Sequence, residues 1–131
     1  MVSELEWPIE VIPSADSVFM RAHKMHIREG NLTPGVFKNQ GSGMSVDWDK
    51  YSSPEETRLR GKIPQHNAVI LMQVAAVRAI TGLAVEHSPD PQTRNRAHAL
   101  VLGLSDRAED NIEMRAQLLK TASVVLHAAS Q

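Results

Sequence analysis

The chain has 131 residues, 14 Lys plus Arg against 15 Asp plus Glu, a formal charge of −1 and no cysteine. That length suits one domain with its own core, and the missing cysteine excludes disulfides, thiolate nucleophiles, zinc ribbons and iron–sulfur sites. Near-balanced charge argues against bulk nucleic-acid binding, which is driven by phosphate neutralisation, and an aromatic content of 4% leaves few platforms for stacked bases. The longest apolar run, Ala68 to Met72 resumed at Val74 to Val77, is too short to span a bilayer. The acidic, proline-broken start from Met1 to Pro8 does not read as a signal peptide, so a cytoplasmic protein without membrane attachment is expected.

Residues 1–16 read as a lead-in segment, partly extended or disordered, with Ile9 to Ile12 as a short edge strand between Pro8 and Pro13. Residues 17–131 then form a single α+β domain. Ser17 to His23 predicts a strand, continuing toward Ile27, that puts Val18, Met20 and Ala22 on one face and Phe19, Arg21 and His23 on the other. Glu29-Gly30-Asn31 and Thr33-Pro34-Gly35 are turn signals with little regular structure expected between them. Gln40 to Gly43 reads as a flexible link into Met44-Ser45-Val46-Asp47-Trp48, whose alternation predicts a short half-buried strand.

Ser53-Pro54-Glu55-Glu56 is the clearest local signal. The serine caps, proline takes the first helical position, and Glu56 completes a capping box. The helix is expected to run to about Arg60 and stop at Gly61. Ala68 to Met72 reads as a buried strand or the opening of a buried helix, and Val74 to Thr81 as a helix ended by Gly82. Leu83 to His87 and Ala97 to Leu104 predict two strands of a hairpin joined by the polar, proline-rich segment between them. From about Asp106 to His127, Ile112, Ala116, Leu119, Ala122 and Leu126 recur at spacings of three and four, which predicts one long amphipathic helix. The expected fold is a small mixed or antiparallel sheet packed by that helix and one or two short ones.

Six histidines are the most visible chemical resource. His23 and His26 are three apart, which puts them on opposite faces of a strand, and no HExxH or other ligand spacing is present, so no metal and no cofactor are expected. Arg21 and His23 share one face of the first strand, an arrangement able to hold an anion and move a proton. Ser45 and Asp47 share the polar face of the next, and His98 sits between two alanines that leave room around its ring. The structural alternative is a surface ion pair between Arg21 and Asp47 with His98 as a satisfied core histidine. P-loop, GxGxxG and G-x-S-x-G signatures are absent. Arg58, Arg60 and Lys62 read as a solvated basic face, and Arg94, Arg96 and Arg107 as a second patch.

Phe19-Met20-Arg21-Ala22-His23, Met44-Ser45-Val46-Asp47-Trp48, Val77-Arg78-Ala79-Ile80 and Asn95-Arg96-Ala97-His98-Ala99, in this order, resemble a family of short bacterial proteins of unknown function. The resemblance spans most of residues 17–125 and implies no activity. It does imply that Arg21, His23, Ser45, Asp47, Asn95 and His98 belong to one polar constellation. Two functions follow. One is a small accessory or binding domain acting through a partner protein or as a homo-oligomer, docking by its amphipathic helix and N-terminal segment. The other is a small toxin-like enzyme acting on a nucleotide, NAD or an RNA phosphate. There Arg21 holds an anionic group, His23 or His98 moves a proton and Ser45 orients the substrate. An Arg/His pair on an early strand and a serine on a later one resemble ADP-ribosyltransferase-type domains, although the late glutamate of that type has no counterpart in this chain.

Overall fold

A computed structural model describes residues 7–39, 43–107 and 110–128. The expected α+β class holds, with every strand pair of the main sheet antiparallel. The strands are β1 Ser17–His23, β4 Met44–Trp48, β5 Asn67–Gln73, β6 Ala84–His87, β7 His98–Leu102 and β8 Ser123–Leu126. They form one six-stranded sheet in the order β6-β7-β4-β1-β5-β8. A separate two-stranded hairpin, β2 Ile27–Arg28 and β3 Asn31–Leu32, follows β1. The helices are α1 Pro54–Leu59, α2 Val74–Arg78 and α3 Ile112–Thr121.

Period-two alternation divides the sheet into two unlike faces. Val18, Met20, Ala22, Met44, Val46, Trp48, Ala68, Ile70, Met72, Val85, Ala99 and Val101 point to one side and are buried. α2 closes that side with Val74 and Val77, and α3 with Leu118, so the apolar core lies here. The opposite side carries Phe19, Arg21 and His23 of β1, Ser45 and Asp47 of β4, and His98 of β7. The register sets Phe19 against Asp47 and Asp47 against His98. α1 sits on this second face. Its capping box forms as the sequence requires, Ser53 Oγ accepting from the Glu56 N–H and the Glu56 carboxylate from the Ser53 N–H.

Several expectations are corrected. The segment between the turn signals is more regular than expected: Glu29 and Gly30, both at positive φ, close the β2–β3 hairpin, and Pro34–Val36 makes a 3-10 turn. β1 does not continue to Ile27, because Lys24–His26 form another 3-10 turn capped by the His23 side chain. The long C-terminal helix is α3 alone. Ala122 leaves helical geometry at ψ 138°, and Ser123-Val124-Val125-Leu126 extends along β5 as an edge strand. Apolar residues there fit both periods, and the β-branched pair Val124-Val125 favours the strand. Ile9 to Ile12 is not a strand. It is an irregular strap whose Ile12 side chain is 1% exposed, worth roughly 2 kcal/mol of burial.

That strap is held by polar contacts as well. Arg78 Nη1 donates to the Ile12 carbonyl at 2.8 Å, and Glu10 accepts from Lys50 at 2.7 Å and from Tyr51 at 2.5 Å. Those two bonds, the lysine foremost, hold the Glu10 carboxyl below the usual carboxylate range. Residues 1–6 of the lead-in and 40–42 of the expected link lie outside the described residues. Among the described residues no helix is long and apolar enough to cross a membrane.

Candidate functional site

The polar face of the sheet forms the floor of a cleft of about 580 Å³. Its floor is β1, β4 and the start of β7; α1 and Asn67 stand on one side, and the 88–97 loop on the other. Arg21, His23, Ser45, Asp47, Asn95 and His98 all line it. The alternation of β1 and β4 turns Arg21, His23, Ser45 and Asp47 the same way, and the β6–β7 hairpin loop folds back to bring Asn95 and His98 beside them.

At one end a buried carboxylate has both of its oxygens bonded within the protein. Asp47 is 4% exposed; its Oδ1 accepts from Asn95 Nδ2 at 2.8 Å and its Oδ2 from Arg60 Nη1 at 2.8 Å. Arg60 also donates to Ser52 Oγ at 2.8 Å, and Ser52 shares a hydrogen bond of 2.8 Å with Thr57. Asn95 Oδ1 accepts from the Ala97 N–H, and the Asn95 and Asp90 backbones pair in both directions at 2.9 Å. One buried carboxylate thus ties α1 to β4 and to the hairpin loop. The sequence alternative of an Arg21–Asp47 ion pair is corrected: Arg60, just past the end of α1, occupies that position.

At the other end the cations are looser. Arg21 is exposed and donates one bond, from Nη1 to the Thr57 carbonyl at 3.1 Å. The polypeptide of Gly61 runs close beside it, and a Cβ there would meet Asn67 Nδ2 and lie 3.1 Å from Arg21 Cδ. His23 Nδ1 accepts from the Met25 N–H at 3.1 Å, and its ring meets His66 edge-on with centroids 5.7 Å apart. His26 and Lys38 complete this wall. Burial first, then the positive charges of Lys38 and His23, hold the His26 pKa below its ordinary value. This end is electropositive without a carboxylate among the described residues that line it.

Between the two ends lies a serine–histidine pair. His98 Nδ1 is 2.7 Å from the Ser88 carbonyl oxygen, and its Nε2 is 3.2 Å from Ser45 Oγ. His98 is half-buried with one ring edge on the cleft, not a closed core residue. Asp90 and Thr93 add a polar rim, with Thr93 Oγ1 donating to Asp90 Oδ2 at 3.0 Å.

Lys38, His26, Thr57, Arg60, Asn67, Asp90 and Thr93 were outside the sequence-derived set. Arg60 was readable in principle, since a short helix stopping at Gly61 leaves its last cation beside the sheet. Lys38 and His26 were not, because the turn that brings them round is set by tertiary packing. Among the described residues no group of three or more His, Asp or Glu side chains is placed to hold a metal ion. Comparison with protein-family models, with curated proteins and with solved structures finds no match.

Proposed function

We propose that this protein is a small enzyme whose cleft binds a phosphate-bearing ligand of the nucleotide, NAD or RNA class, acting in the cytoplasm. The observation that carries the reading is the division of the cleft. Arg21, His23, His26 and Lys38 gather at one end with hydrogen-bond donors to spare, and a serine–histidine pair lies next to them. Guanidinium and ammonium groups recognise phosphate oxygens through charge-assisted hydrogen bonds, and imidazole N–H groups can donate beside them. Asp90 and Thr93 at the far rim offer oxygen acceptors suited to sugar hydroxyls. Arg21 holds the anion, His98 handles a proton, and the Asp47 network keeps the walls apart.

The test is a thermal-shift and calorimetric panel of ATP, AMP, NAD, inorganic pyrophosphate and a short RNA. At least one phosphate-bearing compound is expected to raise the melting temperature in a concentration-dependent way, and Arg21→Ala to weaken that binding by about tenfold. An unchanged melting temperature across the panel would sink the reading.

The competing reading is an accessory domain acting through a partner protein or as a homo-oligomer. It draws on the exposed side chain of Ile112, beside a mostly apolar groove of about 370 Å³ between α3 and the Pro34–Val36 turn. It leaves the polar convergence on the other face unexplained. A stable dimer by light scattering that binds none of the panel would favour it.

A further inference from the structure

Ser45 and His98 stand in the relation that nucleophilic catalysis requires. The Ser88 carbonyl can only accept a hydrogen bond, so the 2.7 Å contact puts the ring proton of His98 on Nδ1. Nε2 is then an acceptor, and at 3.2 Å the Ser45 hydroxyl donates to it. A hydroxyl bonded to a base that a third group orients is the geometric signature of an activated nucleophile. The carbonyl fixes tautomer and ring direction as a carboxylate would, without its negative charge. Other hydroxyls at the cleft are differently committed: Thr93 donates to Asp90, and Thr57 is bonded to Ser52.

Resting on the phosphate reading of the cleft, we infer that Ser45 is the nucleophile of a phosphoryl-transfer reaction and His98 its general base. Ser45 Oγ forms a bond to phosphorus while the bond from phosphorus to the leaving oxygen breaks. The hydroxyl proton passes to His98 Nε2 and from there to the leaving oxygen. Arg21, on the same sheet face, balances charge on the non-bridging oxygens. Water then attacks the phosphoserine, His98 takes its proton and returns it to Ser45 Oγ, and inorganic phosphate leaves. No group is oxidised or reduced.

A neutral alkyl fluorophosphonate tests the nucleophile without relying on the anion site. One adduct per chain is expected on the peptide carrying Ser45, with fluoride released. Ser45→Ala is expected to abolish it and His98→Asn to slow it about a hundredfold, a typical loss for a general base. Both variants are melted alongside, so that a folding defect is not mistaken for lost chemistry. A folded wild-type chain that stays unlabelled, or is labelled elsewhere, overturns the nucleophile. Equal labelling of His98→Asn overturns the base. ATP and pyrophosphate binding is measured on the same samples: if it persists without labelling, only the nucleophile falls and Ser45–His98 is a clasp for the hairpin loop. If it is lost too, the phosphate reading falls with it.

Discussion

The two ends of the cleft use similar residues to opposite effect. Around Asp47 each carboxylate oxygen has a partner, Asn95 on one and Arg60 on the other, and the aspartate is nearly sealed from solvent. Around Arg21 the guanidinium is exposed and makes one bond to a carbonyl. A charge whose hydrogen bonds are all satisfied within the protein positions its neighbours; a charge with spare donors is available to a ligand. On the proposed function the Asp47 end is scaffold and the Arg21 end is the binding surface. Each of the substitutions below should separate stability from binding along that line.

Asp47→Ala should give the largest loss of stability. It leaves the buried Asn95 amide without its acceptor, which costs about 2 kcal/mol, whereas Arg60, at the surface, keeps Ser52 and can turn to water. That is a large fraction of the roughly 5–15 kcal/mol that holds a domain together, so the urea midpoint should fall sharply. Arg21→Ala should do the reverse, staying within about 0.5 kcal/mol of wild type while weakening phosphate binding. If both variants lose stability alike, the division between scaffold and binding surface is wrong.

The sequence disclosed the site better than it disclosed the fold's C-terminal third. Strand alternation is a local, period-two signal, so the facing of Arg21, His23, Ser45 and Asp47 was legible once β1 and β4 were recognised. The β6–β7 hairpin was legible too, and with it the return of His98 to the sheet. Leu119, Ala122 and Leu126 misled because a helix followed by a strand can carry apolar residues at helical spacing across the junction. Only pairing with β5, a contact more than 50 residues back along the chain, decides between them. The Asp47–Arg60 bridge was hidden for a related reason: Arg60 reads as part of a solvated basic face and Arg21 as the partner of Asp47, and the true pairing depends on where α1 lies over the sheet.

Ser53→Ala should produce an intermediate effect, because it acts on the link between the two ends. The serine satisfies the Glu56 N–H at the start of α1, and its loss costs about 1 kcal/mol. α1 also supplies the Thr57 carbonyl that Arg21 donates to, and Thr57 itself is buried against β1 and β5. A frayed α1 should thus weaken phosphate binding modestly without touching a charged group. Measuring the urea midpoint and the dissociation constant together checks this; a lowered midpoint with unaltered binding would show that Arg21 needs no support from the helix.

The smallest effect is one of pH, and it has opposite signs in the free and bound protein. Burial, with help from Lys38 and His23, depresses the His26 pKa below 6.5 in the folded chain. As pH falls below about 6.5 the unfolded chain takes up a proton before the folded one does, so His26 subtracts stability on the acid side. A phosphate beside it favours the imidazolium, so ligand binding should draw in a proton and tighten over the same interval. The melting temperature of the free protein should therefore decline as the dissociation constant also declines. Calorimetry in buffers of different ionisation enthalpy would register the proton taken up. Binding that ignores pH while the free protein still weakens would move the phosphate away from His26 and confine it to Arg21.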